Sequence, residues 1–103
     1  MTIESGVDGS VVALEPGRFR VCTDLSFDTV TSVLRELRTL LRGNKKAVEF
    51  DLAGVQRADS AGVALLIELM RMGREGQYEL RFTHVPRQLE VLAAVAGVDG
   101  LLQ

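Results

Sequence analysis

The chain is poor in several residue types that would signal particular chemistries. Of its 103 residues one is cysteine, one is histidine, two are proline and none is tryptophan. A single thiol, Cys22, allows no internal disulfide, so the sequence points to a reducing compartment, with Cys22 packed in the core of an apolar segment. One histidine, His84, has no Cys, Asp or Glu around it at ligand spacing, so no metal site is expected and His84 is read as satisfying backbone near the last helix. Excess charge is also missing. A formal net charge of -2 gives no basic surface for counterion release, so nucleic acid is not an expected partner. No apolar run approaches the length of a membrane span, and the opening MTIESGVDGS has neither a basic start nor an apolar run, so no signal peptide is read and the cytoplasm is the expected location.

Hydrophobic residues make up 47% and charged residues 25% of the chain, enough apolar surface for one core at this length. One domain over 1–103 is expected, with 1–9 a flexible start. Val11–Leu14 and Arg18–Cys22 flank Glu15-Pro16-Gly17, a turn between two strands, with Phe19 and Val21 alternating against Arg18 and Arg20. From Ser26 the period lengthens. Phe27, Val30, Val33, Leu34, Leu37, Leu40 and Leu41 form the apolar stripe of a helix capped by Ser26, with Asp28 at its positive end, its charged face solvated, and Arg42-Gly43-Asn44 as its stop. Ala47–Leu52 is a third strand, Tyr78–Thr83 a fourth, and Pro86 opens a last helix with Leu89, Leu92 and Ala93 inward, closing at Gly97. Leu101 and Leu102 are expected to pack back on the body. This order predicts an α/β domain: a mostly parallel four-stranded sheet with an N-terminal hairpin and three helices.

The segment Asp59-Ser60-Ala61-Gly62 stands at the head of the second helix, which is read to run to about Gly73. Asp59 is placed to cap that helix and Ser60 to hold its hydroxyl outward, while Gly62 removes a side chain where another protein's backbone could approach. A phosphate on Ser60 would meet the positive end of the helix dipole and the repulsion of Asp59 together. At about 100° per residue, Val63, Leu66, Ile67, Met70 and Gly73 fall on one side, assigned to the core. Ala61, Leu65, Glu68 and Met72 fall on another, read as an outward stripe that continues a docking surface from Ser60 and through which the chain could form a weak homodimer. No P-loop, GxGxxG, GxSxG or HExxH sequence occurs. Glu49 and Asp51 share a strand face, with Asp51 near the sheet's functional edge. An enzyme built on Asp51, Asp59 and Ser60 would lack a base and an oxyanion site, so no catalytic residue or cofactor is assigned.

Val48-Glu49-Phe50-Asp51-Leu52, a short loop, and then Asp59-Ser60-Ala61-Gly62-Val63-Ala64-Leu65-Leu66 resemble the signature of STAS domains, over nearly the whole chain. Within that family the sequence is most similar to the small STAS subunits of Mla-type phospholipid-transport ABC systems. The resemblance implies a non-enzymatic cytoplasmic subunit that binds the ATPase subunit and reaches the inner-membrane face only through the complex, which maintains outer-membrane lipid asymmetry. It implies the alternative of an anti-sigma factor antagonist, phosphorylated on Ser60 by an anti-sigma serine kinase. Many such antagonists carry a second serine or threonine where this chain has Ala61, and that difference favours the transport reading.

Overall fold

A computed structural model describes residues 10–41, 46–98 and 100. The proposed flexible start, the Arg42-Gly43-Asn44 stop and the packing of Leu101 and Leu102 lie outside the described residues. Strands β1 (Val11–Glu15) and β2 (Arg18–Val21) are followed by α1 (Val30–Leu40), β3 (Ala47–Asp51), α2 (Ser60–Gly76), β4 (Glu79–Thr83) and α3 (Arg87–Val95). The sheet order is β1-β2-β3-β4. β1 and β2 pair antiparallel, and β2–β3 and β3–β4 pair in parallel. This is the single α/β domain that the hydrophobic periods predict.

The hairpin depends on Gly17. Its φ of +81° is accessible to glycine at little cost, and a Cβ there would stand 2.8 Å from the Ala47 carbonyl oxygen. Pro16, whose ring fixes its own φ, stands immediately before Gly17, the pairing that a turn with a positive-φ glycine asks for. The Gly17 carbonyl then accepts the Glu49 amide at 2.8 Å, so the turn also starts the β2–β3 ladder.

Alternation sorts the strands into two faces. Phe19, Phe50 and Phe82 occupy matching register positions on β2, β3 and β4, with ring centroids 6.0 Å and 5.8 Å apart. They form one core with Val33 and Leu37 of α1, Leu65, Leu66 and Leu69 of α2, and Leu89 and Ala93 of α3. All three helices therefore cover this face, in two layers. Arg18, Arg20, Glu49 and Asp51 point the other way, where Arg18 Nε donates to Glu49 at 3.0 Å and Arg20 Nε donates to Asp51 at 3.1 Å. Cross-strand ion pairs of this kind suit a face that no described helix covers.

Four expectations are corrected here. Cys22 is exposed rather than packed, because it stands one residue past the end of β2, where alternation turns it from the core. The first helix begins at Val30 with Thr29 as its N-cap residue, not with Ser26, whose amide instead donates to Thr29 Oγ1 at 2.9 Å. Phe27 thus precedes the helix and is 83% exposed. Glu36, expected on a solvated face, is fully buried. Its Oε1 accepts the Val11 amide at 3.2 Å, the first amide of the hairpin, while Oε2 has no hydrogen-bond partner among the described residues.

Glu36 ties α1 to β1, and its removal would orphan a buried amide and leave a void. Glu36→Ala is expected to cost about 2–4 kcal/mol, read from the midpoint of urea unfolding. Glu36→Gln, which keeps an acceptor for Val11, should cost clearly less.

Candidate functional site

The head of α2 is built by two loops laced together. Leu25, after β2, forms an isolated parallel bridge with Ala58; its amide donates to Arg57 O at 2.9 Å and its carbonyl accepts the Asp59 amide at 3.0 Å. Two carboxylates complete the lacing in opposite directions. Asp24 Oδ1 accepts the Arg57 amide at 3.1 Å, and Asp59 Oδ2 accepts the Phe27 amide at 3.1 Å. Asp59 is in extended conformation, and its Oδ1 caps α2 by accepting the Ala61 amide at 2.8 Å. Both carboxylate oxygens of Asp59 are therefore committed to backbone amides, one in the loop after β2 and one in the first turn of α2. Gly62 N–H is also taken, by the Asp59 carbonyl at 2.9 Å.

Ser60 follows this latch with its side chain exposed. Two amides of the first turn are already satisfied, so a phosphate on Ser60 would find fewer free donors than the helix-dipole argument alone supplies. Phe27 is tied to the same helix end, its amide held by Asp59 Oδ2.

The sequence-predicted residues separate into two groups. Asp59 and Ser60 are exposed and Ala61 is half-buried at the same helix end. Gly62 and Leu65 are buried, Leu65 at 4% exposure, and Met72 packs against the core. A Cβ on Gly62 would lie 3.1 Å from Leu25 Cβ and 3.3 Å from Leu89 Cδ1, so the close approach at Gly62 is made by this chain's own loop and third helix. Glu68 is half-buried and bound by Arg71 (Nε to Oε1, 3.0 Å) and Arg38 (3.5 Å). Its hydrogen bond with Arg71, aided by the charges of Arg71 and Arg38, holds the carboxyl below its ordinary range against a smaller opposing effect of desolvation.

The outward stripe is thus rotated from the one expected. Ser60, Ala64, Ile67 and Arg71 are exposed, with Ile67 at 41% although helical spacing assigns it to the core. The reason is geometric. α2 has the sheet beneath it and contacts α1 and α3, so its buried arc is wider than one side and includes the flank carrying Leu65 and Met72. Phe27 escaped the sequence reading because its spacing from Val30 continues the helical period. Ser26 and Thr29 are both capping residue types, so residue type alone does not place Phe27 outside the helix.

A second polar cluster lies at the carboxyl ends of β3 and β4. Asp51, the last residue of the interior strand β3, is fully buried. Its carboxylate accepts Arg20 Nη2 at 2.9 Å, the Ala53 amide at 2.9 Å and faces His84 Nδ1 at 3.0 Å. Desolvation is the largest single influence and raises its pKa, but the Ala53 amide, Arg20 and His84 together hold the carboxyl below its ordinary range. His84 has φ +54°, an uncommon conformation for a non-glycine residue, and its described partner is the Asp51 side chain rather than backbone. Among the described residues no group of three or more His, Cys, Asp or Glu could hold a metal ion, and no described helix is long and apolar enough to cross a membrane.

A family model described as the Mlab, STAS domain matches residues 11–103, the whole span from β1 through α3. No curated protein matches the chain. With the helix-capping Asp59-Ser60 pair, the four-stranded sheet and its three helices all inside the matched span, the chain belongs to the MlaB STAS-domain family.

Proposed function

We propose that this chain is a non-enzymatic accessory subunit that binds and supports the ATPase of an Mla-type phospholipid-transport ABC complex, at the cytoplasmic face of the inner membrane. The family match is the observation that carries this reading; STAS domains are in general interaction modules. The surface around Ser60 is the proposed contact. Asp59, Ser60 and Ala61 form its centre and Glu68 its flank, while Gly62, Leu65 and Met72 support it from within by fixing how α2 sits. An exposed serine on a helix end whose backbone is held at several points offers a partner a preorganised surface, which lowers the ordering cost of association.

The test is copurification of the tagged chain with its ATPase from native extract. Ser60→Arg is expected to reduce recovery of the ATPase at least about tenfold, the effect of roughly 1.4 kcal/mol at a central contact, with Ser60→Ala near wild type and the melting temperature of both unchanged. Equal recovery by Ser60→Arg would remove Ser60 from the interface.

The exposure of the Ser60 hydroxyl favours a second reading, a partner-switching antagonist phosphorylated there by an anti-sigma serine kinase. Incubation with such a kinase and ATP would add one phosphate to wild type and none to Ser60→Ala. Recovery of a serine kinase instead of an ABC ATPase from the native extract would select this reading.

A further inference from the structure

α1 carries a stripe that the described elements cover only in part: Leu34 is half-buried against the core and Arg38 reaches Glu68 of α2, while Thr31 and Arg35 are exposed. The chain already turns helically at Ser26, whose carbonyl accepts the Thr29 and Val30 amides at 3.0 Å each, so Phe27, Thr31, Leu34, Arg35 and Arg38 follow one another at three- and four-residue spacing on one side. Its two ends differ. At the first end stand Phe27, 83% exposed, and Asp28, exposed and without an ion pair among the described residues. At the other, Thr31, Leu34, Arg35, Arg38 and Thr39 line a shallow groove. Arg35 has no ion pair among the described residues, and Arg38 shares Glu68 with Arg71 at the longer distance of 3.5 Å. One end thus offers an apolar ring beside an unpaired carboxylate, and the other an apolar floor rimmed by two guanidinium groups.

Such a stripe is complementary to itself when reversed. We propose that two copies of this chain associate through α1, packed antiparallel about a two-fold axis. The midpoint between Phe27 and Arg38 is also the midpoint between Thr31 and Leu34. One axis therefore sets Phe27 of each copy over the Arg38 groove of the other and Thr31 against Leu34 at the centre, where the small threonine permits close approach. Phe27 meets a guanidinium face and an aliphatic floor, and Asp28 comes within one helical turn of the other copy's Arg35 and Arg38. This is the isologous arrangement of a two-fold dimer, in which each contact occurs twice. A single helix pair buries less surface than the roughly 1,200 Å² at which stable interfaces begin, so the dimer is a weak one that dissociates on dilution.

Sedimentation equilibrium of the full chain over a concentration series tests this. Wild type is expected to pass reversibly from monomer to dimer, and added salt to shift the transition to higher concentration. Phe27→Ser should weaken dimerisation at least about tenfold, the effect of roughly 1.4 kcal/mol in total over the two symmetric Phe27 contacts, with unchanged thermal stability because the ring lies outside the core. Asp28→Arg and Arg35→Asp should each weaken it, and the double variant, which exchanges the charges between the two ends, should restore it. A monomer at every concentration, or a dimer indifferent to Phe27→Ser, would overturn the proposal. A persistent monomer that loses ATPase recovery on Phe27→Ser would assign the ring to the contact with that subunit instead.

Discussion

Replacing Asp51 with alanine is expected to destabilise the domain by about 1–3 kcal/mol, the cost of losing the hydrogen bonds of a buried carboxylate whose charged partners, Arg20 and His84, stay partly solvated. Its carboxylate is fully buried yet holds three groups from three segments: Arg20 of β2, the Ala53 amide after β3 and His84 after β4. Truncation would strand the amide and leave the guanidinium without its nearest buried anion. The same geometry gives a pH signature with a definite sign. The folded-state pKa of Asp51 lies below its unfolded value of 3.8, so its contribution is fully present above about pH 4 and is lost as pH falls through the folded value. Urea midpoints measured from pH 6 down to pH 2 should decline for wild type, and Asp51→Asn should start lower but decline less steeply. An identical slope in the two proteins would mean that other carboxylates dominate acid unfolding.

The second large effect concerns Leu65. Leu65→Ala should cost about 2–5 kcal/mol, as for other buried leucines, whereas Ile67→Ala should fall near 1 kcal/mol or below because its side chain is already 41% exposed. The contrast inverts what helical spacing alone assigns to these two positions. It also bears on binding experiments. A charged residue at Leu65 would abolish copurification by unfolding the head of α2, so loss of partner there is uninformative unless stability is measured beside it. Ala64 and Ile67, on the exposed stripe, are the positions where substitution probes contact without disturbing the core. Chemical denaturation of the two alanine variants decides the matter, and equal losses would show that α2 sits differently on the sheet.

The architecture was legible because its signals are local and repeated. Phe19, Phe50 and Phe82 each stand at the apolar positions of alternating segments, and the turn at Pro16-Gly17 and the cap at Asp59 are written in the residues that those backbone shapes require. Asp59 was recognised as a cap, but its second oxygen bonds Phe27 N–H, 32 positions away, and no spacing rule carries that information. Phe27 and Ile67 are misplaced by continuing a helical period past the point where the covering elements change, whereas Cys22 is misplaced by its apolar neighbours although strand alternation turns it outward. Glu36 shows the converse. A charged residue at a helical position next to Leu37 reads as solvated, and only the approach of β1 over α1 converts it into a buried ligand for Val11. Asp51 was visible as a strand carboxylate but not as a hub, since Arg20 and His84 lie 31 and 33 positions from it.

The four strands lie side by side in the order in which they occur along the chain. Many parallel sheets begin at an interior strand and later change direction, so a segment made late must be placed on the far side of one made early. Here every strand meets an open edge left by its immediate predecessor, with a helix closing over each new parallel pair. No pairing already formed has to open to admit a later one. As the chain leaves the ribosome from its N-terminal end, the hairpin is complete before β3 appears and the β2–β3 pair before β4, so assembly can proceed in a single direction. The head of α2, which needs Leu25 and Phe27 already in place, is reached only when both are available.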